Sequence, residues 1–582
     1  MPERRWDGAI YRFLNFFILT TKATSCIVNA LSMNNSKRSK QHNSGLPFGC
    51  GQAVRRRTLD PLFPGSNPGT RAVHQHLKCA DIHVSCACTL YPLDKETKRK
   101  RFVHIIMNTY ATVVLAAGKG MRMRSNLPKV LHQLAGLPLL GHVLKAIEDI
   151  PSAPSFASFD APVSTHRPIV VLGHESAQVE TAFAERCLYA IQEKQLGTGH
   201  AVLSAQSTVD ALNPLPQTVL VCYGDTPLIR SEMLAQVLVE HLTRRATVTF
   251  LTAQTELPSD YGRIVRDARG QVREIVEVKR ATAEQLRINE VNSGVYCFDR
   301  AWLWPVLQNL PRNASGEYYL TDLVAIAAAQ ERPIATVRGT FDETIGINNR
   351  VQLAEAEQLL RRRILERHMY AGVTIVDPTT TYIENDVQIG TDTIILPGTM
   401  ITGKTTVGSD CRLGPGTTIY QSVIGNRCVI RNSVVEESVL EDDVSMGPFS
   451  HCRGGAHLAH GVRMGNFGEI KNSYIGADTD MHHFSYLGDA TVGEHANIAA
   501  GTITSNYDGE NKHRTTIGVG AFIGCDTILV APVTVGDHAY TGSGAVVTKD
   551  VPPGALVVGV PAHLLRMLQP PDDSTAEGNK KE

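Results

Sequence analysis

From Ile383 onward one aliphatic residue recurs at every sixth position: Ile383, Ile389, Ile395, Ile401, Val407, Leu413 and Ile419. With Ile, Leu or Val at roughly one position in four, such a run in one frame has a chance on the order of 10⁻⁴. A hexad repeat describes a triangular parallel β-helix. Each short strand is one face, three hexads make a coil, and the recurring aliphatic side chain points into a stacked core. The sequence therefore predicts a β-helix over 372–568. The frame is lost after Ile419 and resumes as Ile517, Ile523, Leu529, Val535, Thr541 and Val547, often with a small residue following at the corner. The last residues, 569–582, ending PPDDSTAEGNKKE, have the composition of a disordered tail.

A chain of 582 residues is too long for one hydrophobic core, so further domains are expected upstream. Over 107–350 the pattern is of short aliphatic runs, TVVLAAG, PIVVLGH, TVLVCYGD and TVTFLTA, separated by stretches such as HVLKAIEDI with helical spacing. Such runs read as buried strands of a mainly parallel, Rossmann-like α/β sheet. The segment PSAPSFASFDAPVSTHRP between the first two runs reads as a surface loop. VQLAEAEQLLRRRILERHMY, with apolar residues at helical spacing and Gly372 just beyond, reads as a linker helix over 351–371. The fold class is thus an α/β domain, a linker helix and a β-helix.

Residues 1–106 have no sustained period. The GSNPG within PLFPGSNPGT is what a transfer RNA T-arm encodes when read in one frame, so this extension reads as unstructured or as upstream DNA, with Met107 then the start. The alternative, a basic arm for RNA or membrane, lacks aromatic interleaving and amphipathic period. The run Phe13–Leu19 is far shorter than the ~20 apolar residues of a spanning helix, and Lys22 follows it without a cleavage pattern. No membrane insertion is expected.

Lysine plus arginine equals aspartate plus glutamate at 57 each, which gives no general polyanion-binding signature and argues against a nucleic-acid partner. The 12 cysteines form no CxxC pairs and read as reduced thiols of a cytoplasmic protein.

Chemistry concentrates where the first run ends, at Leu115, Ala116, Ala117 and Gly118, followed by Arg122 and Lys129. Glycines directly after a buried strand let backbone N–H groups approach a phosphate chain, and the two cations can neutralise it. The GxxxxGK[ST] spacing of a Walker loop is absent. The string LAAGKGMRM followed by LPKVL resembles the nucleotide-binding signature of sugar-1-phosphate nucleotidyltransferases. That resemblance implies that Gln192, with Gly197 and Thr198 of LGTG, reads uracil, and that Tyr223, Gly224 and Asp225 close a strand at the metal. Asp225 alone would more often be a strand-end cap; within this series it is implied to hold Mg²⁺, for which a hard carboxylate is suited. Gly262, Glu277, Asn292 and Asn348 match the family's sugar-binding residues, with Asn348 also the second metal ligand.

The resemblance narrows to the bifunctional family that joins a UDP-N-acetylglucosamine pyrophosphorylase to a glucosamine-1-phosphate N-acetyltransferase, and it covers about Met107 to Pro561. It implies acetylation of glucosamine-1-phosphate from acetyl-CoA, then transfer of a uridylyl group from UTP to N-acetylglucosamine-1-phosphate. HFSYLGDATVGEHANIAAGTITSNYDG resembles the acetyl-transfer centre, with His483 as general base and Arg453, Lys471, Tyr486 and Asn497 around the sugar phosphate. Ala500, Asn506, Tyr507, Cys525 and Ser543 fall on the CoA side. The chain departs from the family where it reads His451-Cys-Arg-Gly-Gly, at Cys525 in place of serine, and at Val560 near an expected basic residue. A homotrimer is implied, because CoA in this family lies between neighbouring β-helices. Strand alternation would let only one of His482 and His483 face the acceptor, and the string H-x-x-Y-L-G-D selects His483.

Three rival readings stand beside this one: a single-function nucleotidyltransferase whose β-helix only oligomerises it, a zinc-dependent hydratase using His457, His460, His482, His483 and His495, and a non-catalytic scaffold.

Overall fold

A computed structural model describes residues 108–568 other than 119, 158–162, 174–176, 257–259 and 314–315. The expectations for 1–106 and for the tail 569–582 lie outside the described residues.

The α/β domain is built on β1 (Asn108–Leu115), β2 (Ile169–Leu172), β3 (Leu188–Ile191) and β4 (Thr218–Tyr223). These are parallel, with β1 between β2 and β4 and β3 outside β2. The aliphatic side chains of β1, β2 and β4 are buried on both faces, which is why the sequence shows continuous apolar runs there rather than alternation. Beyond β4 the sheet changes character. It continues through β5 (Val248–Gln254), β6 (Arg263–Arg266), β7 (Val272–Val276), β8 (Glu290–Asp299) and β9 (Ile334–Gly339). Strand β8 pairs antiparallel with β4, β5 and β6, and β6 with β7; only β9 and β5 are parallel here. The expectation of a mainly parallel sheet thus holds for β1–β4 and is corrected for the rest. The Asp267–Gln271 turn between β6 and β7 is too short for a crossover and allows only a hairpin. The segment expected as a plain loop after HVLKAIEDI is also partly structured: Phe156, in a short helix Pro154–Ala157, is buried edge-on to Tyr110, and Val163–Thr165 pairs with β1.

The linker helix spans Arg350–Tyr370, capped by Asn349, whose side chain accepts from Gln352 N at 2.9 Å. Its far end packs Ile364 and Leu365 into the same core as Ile375, Ile383 and Ile395, so it closes the top of the β-helix.

The β-helix has three faces of 12, 10 and 9 strands, in which each strand pairs parallel with the third one after it, except near the end, where Tyr540–Thr541 pairs with the second, Ala555–Val558, and His563–Met567 is antiparallel. It runs without interruption through the region where the six-residue frame is lost. The buried positions step by five instead of six at Ile419 to Ile424, Ile430 to Val435 to Leu440, Ile470 to Ile475 and Leu487 to Val492. Each of these steps has one corner residue fewer. The inward ladder nevertheless stays in register, as Ile401, Ile419, Val435, Cys452, Ile470 and Leu487 show. Between Thr504 and Ile517 the spacing is longer, where loop 506–514 leaves the body.

Close stacking at the corners puts Gly465 directly under the turn above it: a Cβ there would overlap the backbone carbonyl of His482. Gly465→Ala is expected to destabilise the chain by about 1–3 kcal/mol, since backbone cannot rotate away as a side chain can. Thermal unfolding followed by circular dichroism checks this, and an unchanged melting temperature would contradict it.

Candidate active sites

Ten of the residues singled out in the α/β domain come together in one cleft at the carboxyl ends of the parallel strands, the usual place for a ligand in such a sheet. Leu115, Ala116, Ala117 and Gly118 leave β1, Tyr223 and Asp225 end β4, and Lys129, Gln192, Gly197 and Thr198 complete a cavity of about 380 Å³. Glycine is required at one point beside its wall and at one point within it. Gly120 has φ 60 and lies so close to Lys129 that a Cβ would sit 2.7 Å from its Cβ. Gly197 has φ 103, and its own carbonyl accepts from the buried Gln192 Nε2 at 3.1 Å.

At one end of the cleft the Lys129 ammonium forms an ion pair with the Asp225 carboxylate and donates to Asn348 Oδ1 at 3.1 Å. Two hard oxygen donors from distant parts of the chain therefore already converge on one cation. Such a donor set fits Mg²⁺. Asp225 is held from behind by Ile347 N, which donates to its carbonyl at 2.9 Å.

The expected sugar-side residues lie next to this group. Asn292 N donates to Gly262 O at 2.9 Å, and Asn292 Oδ1 accepts from Tyr296 Oη at 2.8 Å. Gly294, at φ 80 in the register shift of β8, lies against the ring of Tyr223, where any Cβ would overlap it. Thr321 Oγ1 donates to Glu277 Oε1 at 3.1 Å, and burial pushes that carboxyl above the usual range. Burial, then the charges of Glu277 and Asp225, push the Tyr223 phenol up as well, so Tyr223 stays neutral between the two carboxylates. Gly224 backs onto Leu140 and Ala116. Arg122 departs from expectation: it does not line the cleft. The turn Met121–Met123 buries Met123 and leaves Arg122 exposed.

The second constellation is on the β-helix. Arg453, Lys471 and Gly488 are ladder neighbours on one face, and Tyr486 lies two residues before Gly488. Gly488 has no side chain because the Tyr486 hydroxyl covers it, with Asn506 Nδ2 2.7 Å from where a Cβ would be. Asn506 Nδ2 in turn donates to Asp489 Oδ2 at 2.6 Å. Asn497 stands on the adjacent face. The corner between these faces carries His482, His483 and Phe484, and the next corners stack beneath it: Gly501 N to Phe484 O at 2.7 Å, Asp526 N to Ala500 O at 2.7 Å, Gly544 N to Cys525 O at 2.8 Å. Ala500, Cys525 and Ser543 thus descend in one column from His483. Tyr507 is exposed in the 506–514 loop.

One argument from sequence fails here. His482 and His483 lie in a turn between Asp480–Met481 and Ser485–Gly488, not in a strand, and both are exposed, so alternation does not separate them. Their partners do: His482 Nε2 is 3.2 Å from Asp480 Oδ1, whereas His483 has no hydrogen bond or ion pair among the described residues. The histidines of the hydratase reading are dispersed. His457 pairs with Glu441 at 2.7 Å on the third face, and His460 with Asp443 at 3.5 Å.

Comparison with known proteins agrees with this division of the chain. A family model for the MobA-like NTP transferase domain matches residues 112–325, and one for the bacterial transferase hexapeptide (six repeats) matches 386–421. A bifunctional protein GlmU of Heliobacterium modesticaldum is 49% identical over 456 residues, covering 78% of this chain and 96% of the relative. The chain belongs to the GlmU family. GlmU proteins of Geobacillus thermodenitrificans and of another Geobacillus species are 46% and 45% identical, each covering 77% of this chain and 94% of the relative.

Within this GlmU chain the departures from the family pattern fall in two kinds of place. Cys452 of the HCRGG string points inward, stacked between Met446 and Met464, and leaves the outer face to His451 and Arg453. Cys525 is exposed on the corner column, and Val560 is exposed near the end of the β-helix. Several site residues were not foreseen. Gln195 Nε2 donates to Ala117 O at 2.5 Å across the cleft mouth, Glu317 and Tyr319 line its wall, and Glu469 binds Arg453 at 2.8 Å between Lys471 and Tyr486. Gln195 sits in the same string as LGTG, so its position was a usable signal; the others carry no motif of their own.

Proposed function

We propose that this chain makes UDP-N-acetylglucosamine on two separate sites. Acetyl-CoA acetylates glucosamine-1-phosphate at the β-helix corner. UTP then donates a uridylyl group to N-acetylglucosamine-1-phosphate in the cleft, releasing pyrophosphate. The single observation that carries the reading is that one chain holds both constellations, Lys129–Asp225–Asn348 and Arg453–Lys471–Tyr486 beside His483.

For acetyl transfer, His483 takes the proton that the glucosamine amine must lose as its nitrogen attacks the thioester carbonyl and CoA leaves as a thiol. Arg453 and Lys471 neutralise the sugar phosphate, and Tyr486 and Asn497 offer it and the sugar hydrogen bonds. Ala500, Cys525 and Ser543 then track the CoA chain along their column.

Uridylyl transfer needs no protein base, because the acceptor phosphate is already an anion. The turn Ala117–Gly118 offers backbone N–H groups to the nucleotide, Gln192 reads the base, and Glu277 with Asn292 orients the sugar. Asp225 and Asn348 would hold Mg²⁺, which supplies charge neutralisation between the phosphates when bound. Lys129, beside these two residues, neutralises a nucleotide phosphate.

The assembly in this reading is a homotrimer. In support, Ile503 and Ile528 are exposed ladder neighbours on the Tyr486 face, an apolar stripe suited to a second β-helix. A cytoplasmic location fits the seven free thiols of the described residues, none of whose helices is long and apolar enough to cross a membrane.

Purified protein given glucosamine-1-phosphate, acetyl-CoA, UTP and Mg²⁺ is expected to release both CoA thiol and pyrophosphate and to form the acetylated nucleotide sugar. Pyrophosphate release from added N-acetylglucosamine-1-phosphate without any thiol release would return the single-function reading.

A further inference from the structure

The linker helix does more than join the domains, because it touches each loop that carries a residue of the Lys129–Asp225–Asn348 group. Asn348 immediately precedes its cap and donates its N–H to Gln352 Oε1 at 2.8 Å. Arg350 Nε donates to Met123 O at 3.3 Å, on the loop before Lys129, and Arg363 Nη1 donates to Leu228 O at 2.7 Å, just after Asp225. Beneath these bonds Ala356 shares a small core with Leu134, Leu139, Leu228 and Ile347, all buried.

One contact stands out. The chain after Lys129 runs through the turn Lys129–Leu131 into a hairpin, Gln133–Leu134 with Leu137–Pro138, whose two-residue tip is Ala135–Gly136. Both tip residues have positive φ, 43° and 85°. Asn, Asp or Gly is favoured at the first of these positions, and alanine there carries steric strain of about 1 kcal/mol or more. Such a residue persists where its surroundings over-determine it. Here Glu357 Oε2 of the linker helix accepts from Ala135 N at 2.9 Å, Asn385 N donates to Ala135 O at 3.2 Å, and Gly136 packs on Glu384. Between tip and lysine the path is stiff: Val130, Leu131 and Leu134 are buried, and His142 Nε2 lies 2.7 Å from Leu134 O.

We infer that Glu357 is a positioning residue for uridylyl transfer, holding the strained Ala135–Gly136 tip so that Lys129 stays opposite Asp225 and Asn348. The inference rests on the cleft reading above. Glu357 is not among the residues lining the cleft; it acts through Lys129.

The bifunctional chain supplies its own control, because acetyl transfer at the other site reports folding. Glu357→Ala is expected to lower kcat for uridylyl transfer by ~10–10²-fold, the scale of a small misplacement of a reacting group, with KM for N-acetylglucosamine-1-phosphate and the acetylation rate little changed. Glu357→Gln keeps an oxygen acceptor and should retain most of the rate. In a Lys129→Ala background the Glu357→Ala loss should vanish, since the two act as one unit. Should Glu357→Ala lose both activities together, Glu357→Met, which keeps the volume without the acceptor, carries the same test. A normal uridylyl rate in Glu357→Ala beside a crippled Lys129→Ala, a full additive loss in the double variant, or a Gln variant no better than Ala overturns the positioning role alone. A normal rate in Lys129→Ala overturns the cleft assignment itself, and this inference with it.

Discussion

Asp225→Asn is expected to cut uridylyl transfer by about 10²–10³-fold while leaving acetyl transfer within two-fold of normal, the range seen when one preorganised electrostatic group is removed. The substitution preserves shape and removes only charge. Asp225 supplies the carboxylate of the group in which Lys129 also meets Asn348, and both partners of the ion pair are largely shielded, with side chains 12% and 22% exposed. In that setting the carboxylate has little water to screen it, so its loss weakens the hold on a divalent cation and frees Lys129 from its resting place. Ile347 N still binds the backbone carbonyl of residue 225, so the turn itself should stand. Pyrophosphate and CoA thiol released by the same preparation, followed in parallel, make the check. Parallel loss of both in a folded variant would sink the two-site reading.

What could be read from the chain divides along a physical line. Elements fixed by local periodicity were legible: the aliphatic runs of β1, β2 and β4, the linker helix to within a residue, and the coils from Ile383 to Ile419. The middle coils were not, because a five-residue step moves the inward position by one and destroys a fixed frame without disturbing the stack. Pairing direction was lost where β5 to β8 turn antiparallel, since a run such as TVTFLTA looks the same on either side of a partner. Site residues followed the same rule. Those inside strings, such as Gly118, Gly197 and Asp225, were foreseen and meet in one cleft. Glu357, which binds Ala135 across 222 residues, takes its meaning from a tertiary contact that no spacing encodes. Arg122 shows the converse: a cation in the right string can be turned to solvent by a neighbour, here Met123, that needs the interior.

The same line separates the two adjacent histidines of the β-helix corner. His483→Ala is expected to reduce acetyl transfer by ~10²–10⁴-fold, the usual contribution of a positioned general base, while uridylyl transfer to added N-acetylglucosamine-1-phosphate stays near normal. His482→Ala should do much less. A base must present a free ring nitrogen to the amine, and both imidazoles are exposed on one turn, so position alone does not choose between them. Their partners do choose. His482 is drawn to Asp480, and Asp480 is already neutralised by the guanidinium of Arg463, whose Nη2 lies 2.8 Å from Oδ2. That contact ties up a ring nitrogen of His482. His483 carries no such bond among the described residues. It stands three residues before Tyr486, at the head of the column formed by Ala500 and Cys525. Rates of thiol release at saturating acetyl-CoA, measured for both variants beside pyrophosphate release, decide the matter. If acetylation collapses in His482→Ala and survives in His483→Ala, then the Asp480 contact is what orients the base, and the roles of the two residues are exchanged.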